Sequence, residues 1–172
     1  MTGPIDAEQL GRLLDEHGPA LALYAAQWTD SPDDCVQEAL VELARQRPLP
    51  DHVVAWLYRV VKHRALNAAR GDRRRRERES RAISERFTES EKPAAFDSDE
   101  TNAATDALVQ LEPGERELVV MRIWGNLTYE EIGTALNIST ATAYRQYERA
   151  LTKLRKILEL QCTTNKSRAN LK

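Results

Sequence analysis

Large apolar residues recur along this chain at three- and four-residue intervals, the spacing that lines one face of a helix. No stretch of any length alternates as a half-buried strand requires. In the first block, residues 6–29, Leu10, Leu13, Leu14, Leu21, Leu23, Tyr24 and Trp28 follow the helical spacing. Gly18-Pro19 interrupts it and predicts two pieces or a kink, because proline has no amide hydrogen and its ring crowds the carbonyl four residues earlier. Asp30-Ser31-Pro32-Asp33 reads as a stop and a fresh start, with Ser31 as cap and Pro32 at the first helical position. Val36, Leu40, Leu43 and Ala44 then mark a second helix ending near Gln46, since Arg47-Pro48-Leu49-Pro50 cannot continue it. Asp51 is the expected cap of a third, long helix whose buried face carries Val54, Leu57, Tyr58, Val61, Ala65 and Leu66. Its far end is expected to dissolve at Arg70-Gly71-Asp72 and the run Arg73 to Arg76.

The pattern fails over 82–105, where Glu89-Ser90-Glu91-Lys92-Pro93 and Asp97-Ser98-Asp99-Glu100 offer too little apolar surface to offset ordering entropy. This segment reads as a flexible acidic linker. Helical spacing resumes after 106. Pro113 opens a helix with Leu118, Val119, Met121, Arg122 and Trp124, stopped by Gly125-Asn126. Thr128-Tyr129-Glu130-Glu131 is a capping box, and Ile132, Ala135 and Leu136 face inward on the helix it starts. Asn137-Ile138-Ser139 is a tight turn in which Asn137 tolerates a left-handed backbone. The last helix begins at Thr140 and carries Ala143, Tyr147, Ala150, Leu151, Leu154 and Leu158 on one stripe. The expected fold is all-α: a small helical bundle over 1–81, the linker over 82–105, a helix-turn-helix domain over 106–160 and a polar, basic tail over 161–172.

Length and composition fit this division. The chain has 172 residues, 41% hydrophobic and 30% charged, enough for two small cores and much solvated helix surface. No apolar run reaches the roughly 20 residues of a membrane span, and the start, MTGPIDAEQL, lacks the basic and apolar blocks of a signal peptide. A cytoplasmic protein without membrane insertion is expected. Cys35 and Cys162 are far apart, belong to no CxxC pair, and have no histidine at ligand spacing, because His17, His52 and His63 are scattered. Neither a disulfide, a metal site nor a cofactor is expected, and Cys35 reads as a small buried side chain.

The net charge of −2 hides strong segregation. Up to residue 58 only Arg12, Arg45 and Arg47 oppose ten acidic residues running from Asp6 to Asp51. Residues 59–81 reverse this balance, 82–106 turn acidic again, and from 138 onward bases predominate. Two basic blocks separated by acid suit contact with phosphates at two places and with a protein surface elsewhere.

The chemistry is clearest in the last module. A short capped helix, a tight turn and a longer helix describe the helix-turn-helix, whose second helix enters the major groove. Ile132, Leu136, Ile138, Ala143 and Tyr147 would lock the two helices together. Thr140, Thr142, Tyr144, Arg145, Gln146 and Arg149 would face outward, as groups suited to base edges and phosphates. Arg149, Lys153, Arg155 and Lys156 can neutralise backbone phosphates. The plainer alternative is a helical hairpin with a solvated basic face, which the capping box, turn and basic second helix together disfavour.

The segment from Leu111-Glu112-Pro113 to Leu154, with Glu115-Arg116-Glu117, the run from Gly125 to Gly133, Thr142-Ala143-Tyr144-Arg145 and Arg149-Ala150, resembles sigma region 4. The helix-turn-helix of LuxR-type regulators is similar, so this segment alone leaves both open. The first half separates them. Asp33-Asp34-Cys35-Val36-Gln37-Glu38-Ala39-Leu40-Val41-Glu42-Leu43 resembles sigma region 2.2. Ala55-Trp56-Leu57-Tyr58-Arg59-Val60-Val61-Lys62, with Ala65-Leu66-Asn67 and the arginine run, resembles regions 2.3 and 2.4. Two matches in order, joined by a linker too short for a region 3, resemble the extracytoplasmic-function group of bacterial sigma factors. His63 stands where that family usually has Asn, Asn67 where it often has Asp, Tyr144 where it has Lys and Gln146 where it has Arg. Promoter preference therefore does not transfer from relatives.

The resemblance implies an alternative sigma factor that binds core RNA polymerase, recognises −10 and −35 elements and aids promoter melting. The expected partners are core RNA polymerase, double-stranded promoter DNA, the melted non-template strand and, as an option, an anti-sigma factor. Core polymerase would meet Asp34, Gln37, Glu38 and Val41, with Glu42 as a further polar group; the plainer alternative is that the polar ones are ordinary solvated positions, and Glu42 by itself makes no case against it. The −10 element would meet the 47–54 loop and Arg59, Lys62, His63, Arg64, Asn67, Arg70, Arg73 and Arg74, continuing to Arg76. Trp56 and Tyr58 are the nearby stacking candidates for an unpaired base, Trp56 being better placed for the core. The −35 element would meet Thr140, Thr142, Tyr144, Arg145, Gln146, Arg149 and Lys153. The linker reads equally as a nucleic-acid mimic inside polymerase or as a soluble tether. A LuxR-type regulator is the runner-up, opposed by Val36-Gln37-Glu38 and Trp56-Leu57-Tyr58-Arg59 and by the lack of a sensor domain. An enzyme has no support: no metal-spaced carboxylates, no nucleophile with its base and no phosphate-cradling glycine loop occur, and Glu130-Glu131 is taken up by the capping box.

Overall fold

The computed structural model describes residues 5–82 and 107–169, and among these it is all-α, without a strand. Six helices have defined bounds: α1 (Ala7–Ala25), α2 (Pro32–Arg45), α3 (Val53–Ala82), α4 (Pro113–Ile123), α5 (Tyr129–Leu136) and α6 (Thr140–Ala169). A helical turn at 107–109 precedes α4. The chain divides into two compact units, one built on α1 to α3, the other on α4, α6 and the start of α5. All but the first residue of the expected linker at 82–105 lies outside the described residues. No described helix is long and apolar enough to cross a membrane.

In the first unit the three helices pack pairwise. α1 starts at a capping box that pattern reading passed over: Asp6 Oδ1 accepts from the Gln9 amide at 2.7 Å, and Gln9 Oε1 accepts from the Asp6 amide at 3.1 Å. The break expected at Gly18-Pro19 does not occur, and α1 runs through Pro19. A residue before proline is normally pushed out of helical geometry by its own Cβ and backbone. Gly18 has no Cβ, and Ala20, Leu21, Tyr24 and Ala25 just beyond are all buried, so packing holds the turn that proline weakens. Ser31 occupies the position before α2 but its side chain makes no capping hydrogen bond; its amide instead donates to Thr29 Oγ1 at 3.2 Å. α3 opens at Val53, with the His52 carbonyl accepting from the Trp56 amide at 2.9 Å, so His52 rather than Asp51 precedes its first turn.

The core between the three helices is Leu21, Tyr24, Ala39, Leu43, Leu57, Tyr58, Val61 and Ala65, each fully buried. Tyr24 meets Tyr58 and Trp28 edge-on, with ring centroids 5.0 Å apart in both pairs, a favoured aromatic geometry. Tyr58 is therefore a core residue and not available for stacking, and burial drives its phenol pKa upward. Trp56 is half-buried. α3 does not fray at Gly71 but continues to Ala82. An exposed glycine costs a helix about 1 kcal/mol, and the following arginines are good helix formers, with Arg75 reaching Asp72 one turn back at 3.0 Å.

Cys35 is buried on α2, as its spacing predicted. Burial, followed by the charges of Glu38 and Asp34, pushes its thiol pKa up, so less of the reactive thiolate forms at a given pH. Alkylation at pH 8, followed by mass spectrometry of the Cys35 peptide, is expected to run at least about tenfold slower in the native chain than in urea. Equal rates would refute this burial.

In the second unit α4 packs on α6, around a cluster of Ala107, Leu108, Leu111, Val119, Ala150 and Leu154 flanked by Ile157 and Leu158. Arg116 ties the incoming chain to α4. Its Nε donates to the Leu108 carbonyl at 2.8 Å, and Nη2 donates to those of Val109 and Leu111 at 2.6 and 3.1 Å. It shares the Leu108 carbonyl with the Leu111 amide and adds a donor to the carbonyls of Val109 and Leu111. Gly125-Asn126 ends α4 as expected, with Asn126 at φ 52° and the Leu127 amide donating back to Met121 at 3.1 Å.

Candidate nucleic-acid interface

The helix-turn-helix assembles from local signals. The Glu131 amide donates to Thr128 Oγ1 at 3.2 Å, and Glu131 Oε2 accepts from the Thr128 amide at 2.8 Å. The predicted capping box is thus formed and starts α5 where expected. Asn137 takes φ 57°, and the Ile138 amide donates to the Gly133 carbonyl at 2.9 Å, closing the turn. Ser139 then caps α6, accepting from the Thr142 amide at 3.1 Å while its hydroxyl meets that of Thr142 at 2.8 Å. Ser139, expected only as part of the turn, is thus also the cap, and a serine directly before the first helical residue is the signal for it.

Ile132 and Ala143 are fully buried, while Leu136, Ile138 and Tyr147 are half-buried. Thr140, Tyr144, Arg145, Gln146 and Arg149 are exposed, and Thr142 is half-exposed beside its cap. At 3.6 residues per turn, Arg145 and Lys156 lie on the side of α6 away from the stripe of Ala143, Ala150 and Leu154, with Arg149 on the flank. Lys153 differs. Its Nζ donates to Glu115 Oε1 at 2.5 Å, and Arg149 Nε lies 4.0 Å from the same oxygen. Glu115 is only 15% exposed on its side chain, so it neutralises part of the recognition helix from within the fold. No local pattern announces a pair 38 residues apart. Removing the carboxylate charge with Glu115→Gln should release Lys153 to a phosphate. Duplex binding is then expected to tighten at low salt, with the slope of log K against log salt steeper by about one. A titration between about 50 and 200 mM salt reads this, and an unchanged slope would show that Lys153 never reaches DNA.

Tyr129, the first residue of α5, anchors an aromatic group. Arg122 sits 4.9 Å over its ring, Tyr147 lies 5.8 Å away, and Tyr144 meets it edge-on at 5.3 Å with planes 88° apart. Arg122 also donates to the Leu127 carbonyl at 2.8 Å.

On the first unit, Arg59, His63, Asn67, Arg70 and Arg74 are exposed on α3 and fall in a stripe about 80° wide. Asn67 joins its neighbours: Nδ2 lies 3.4 Å from the His63 ring nitrogens, and Oδ1 accepts from Arg70 at 3.3 Å. Lys62, 5.6 Å over the Trp28 ring, and the exposed Arg73 flank the stripe on one side, and Arg76 pairs with Asp30 at 3.5 Å. Arg64, expected among the DNA contacts, turns the other way. Its guanidinium forks across Glu38 at 2.5 Å and Glu42 at 2.6 Å. These two hydrogen bonds, Glu42 first, hold its pKa above the usual value. Arg64 thus joins α3 to α2 and is a positioning residue in this structure.

α2 carries the remaining expected residues. Cys35, Val36, Ala39 and Leu43 face the core, while Asp34, Gln37, Glu38 and Val41 are exposed, Val41 at 50%. The acidic groups around this half-exposed valine would repel phosphates. A groove of about 550 Å³ between α2 and α3 has Asp34 and Glu38 on one wall and His63, Arg64 and Asn67 on the other. Of the expected residues, Asp34 and Glu38 thus share a groove with His63, Arg64 and Asn67, while Gln37, Val41, Arg59, Lys62, Arg70, Arg73 and Arg74 do not line it.

Both halves of the chain match known family models. The Sigma-70 region 2 family model matches residues 13–75, and the Sigma-70 region 4 family model matches residues 107–156. The chain is 27% identical over 131 residues to the ECF RNA polymerase sigma factor SigD of Mycobacterium bovis and of Mycobacterium tuberculosis. That match covers 73% of this chain and 62% of the relatives' length. Among solved structures, CnrH in complex with the cytosolic domain of CnrY superposes with a TM-score of 0.59 at 24% identity, covering 90% of each chain. The sigma factor RpoE in complex with the anti-sigma factor NepR from Bartonella quintana gives 0.59 at 22% identity, covering 89% of this chain and 98% of that one. These two show a shared fold. With both sigma regions present and in order, the chain belongs to the sigma-70 family, in its extracytoplasmic-function group.

Proposed function

We propose that this protein is an alternative sigma factor, a non-enzymic initiation factor of the cytoplasm that binds core RNA polymerase and directs it to specific promoters. The observation that carries this reading is the pairing, in one chain, of a basic recognition helix with a separate unit that presents two unlike faces. The acidic and apolar face of α2, with Asp34, Gln37, Glu38 and Val41, suits a polymerase surface. The stripe of Arg59, His63, Asn67, Arg70 and Arg74 on α3, with Lys62 and Arg73 beside it, suits the −10 element and its melted non-template strand. Cations on that face would neutralise phosphates, while His63 and Asn67 offer hydrogen bonds to an unpaired base edge. The −35 element falls to α6 through Thr140, Thr142, Tyr144, Arg145, Gln146 and Arg149, with Lys153 as a reserve held by Glu115. Both solved neighbours are complexes, one of them with an anti-sigma factor, and an anti-sigma factor is proposed as a regulatory partner here too. A LuxR-type regulator would leave the α2 face and the α3 stripe without a task.

Runoff transcription tests the proposal. Added to bacterial core polymerase, the protein is expected to yield a discrete transcript start on a promoter selected from a genomic library, where neither component alone gives one. Binding to duplex DNA with no change in polymerase start sites would overturn the proposal in favour of a repressor or activator.

A further inference from the structure

Tyr144 is the large apolar side chain exposed at the start of α6, where the exposed Ala141 offers only a methyl group. Thr140, Thr142, Arg145, Gln146 and Arg149 present hydroxyl, amide or guanidinium groups, whereas Tyr144 presents a large aromatic surface, half of it exposed. It stands on the second turn of the helix, among the N-terminal residues that reach base edges in a helix-turn-helix. The ring is also held in place. Tyr129 meets it edge-on at 5.3 Å and is itself fixed by Arg122 and Tyr147, so little side-chain freedom remains to be lost on binding. A water-exposed aromatic ring, braced from behind and aimed where base edges pass, is arranged to contact something apolar. The floor of the major groove offers one prominent apolar group, the C5-methyl of thymine.

We infer that Tyr144 is a specificity-determining residue that selects a thymine in the upstream promoter element by packing its ring against the base's methyl group, with Tyr129 as the positioning residue behind it. This rests on the sigma-factor reading of the chain. The ring, not the hydroxyl, makes the contact, so the phenol is dispensable. A methyl contact is worth about one buried carbon, which corresponds to roughly fourfold in affinity.

The test uses holoenzyme assembled from the full chain and bacterial core polymerase. A duplex pool randomised over the −35 region is selected for binding, and each thymine of the enriched element is then replaced by uracil, which removes only the methyl. One replacement is expected to weaken wild-type binding about fourfold, to weaken Tyr144→Phe equally, and to leave Tyr144→Ala unaffected. If no uracil replacement changes wild-type binding, the inference fails regardless of how any variant folds. If Tyr144→Phe is as weak as Tyr144→Ala and insensitive to uracil, the hydroxyl on a phosphate is the true contact and the inference likewise fails. If the pool enriches no element at all, the sigma-factor reading itself falls and takes this inference with it.

Discussion

Gly133→Val is expected to collapse the helix-turn-helix and abolish promoter-specific transcription, while the first unit keeps its affinity for core polymerase. A Cβ built at Gly133 would lie 2.8 Å from the Ile138 carbonyl oxygen, 3.4 Å from the Thr140 amide nitrogen and 3.6 Å from the Ser139 carbonyl carbon. All three are backbone atoms of the turn, so no side chain can swing aside. The same turn is closed on Gly133 by the Ile138 amide, and moving Ile138 outward breaks that bond. Overpacking of this kind typically costs about 1–3 kcal/mol, and a β-branched residue lies toward the upper end. Alanine is a milder case, because about 1 kcal/mol of helix propensity is recovered over glycine. Urea unfolding followed separately by Tyr129 and Tyr58 peptides in hydrogen exchange would read the two units. A second-unit midpoint unchanged by Gly133→Val would refute the argument.

How much of this was legible in the sequence depends on how far each cause reaches along the chain. Thr128 and Glu131 sit three residues apart, and Asn137 acts on its own backbone, so both were readable from order alone. The all-α class followed from periodicity in the same way, as did the burial of Cys35. The expected end at Gly71, and a split rather than a kink at Pro19, do not occur, because propensity is local and the outcome is not. α1 continues through Pro19 with buried Leu21 and Tyr24 on its next turn, and α3 outlasts Gly71 because strong helix formers follow it. Ser31 had the right type at the right position, yet its side chain forms no capping bond. The electrostatic assignments were the least legible. Arg64 and Lys153 look like their neighbours in sequence, and only the fold reveals that Glu38 with Glu42, and Glu115, already claim them.

These internal pairs decide how the two binding surfaces can be separated by mutation. Glu38 is a poor choice for probing the polymerase face, because losing its carboxylate also unties Arg64 beside His63 and Asn67. Val41 is better: it is 50% exposed, lies on the same face as Asp34 and Gln37, and no ion pair depends on it. Truncating a docking-face residue often costs little, but a new charge placed there must be desolvated without a partner. Val41→Glu is therefore expected to weaken core binding by about tenfold or more, with duplex affinity of the free chain unchanged. Arg145→Ala should do the reverse. Arg145 points away from the unit's core, and among the described residues no carboxylate pairs with it as Glu115 pairs with Lys153. Losing a guanidinium that reads a base edge costs about 1–3 kcal/mol, roughly 5- to 150-fold. That loss should fall on the −35 element alone, leaving core affinity intact. Fluorescence anisotropy against labelled core and labelled duplex gives all four values. If Val41→Glu and Arg145→Ala lowered duplex affinity alike, α2 and α6 would be two parts of one DNA-binding surface, and the division of labour between the helical units would have to be abandoned.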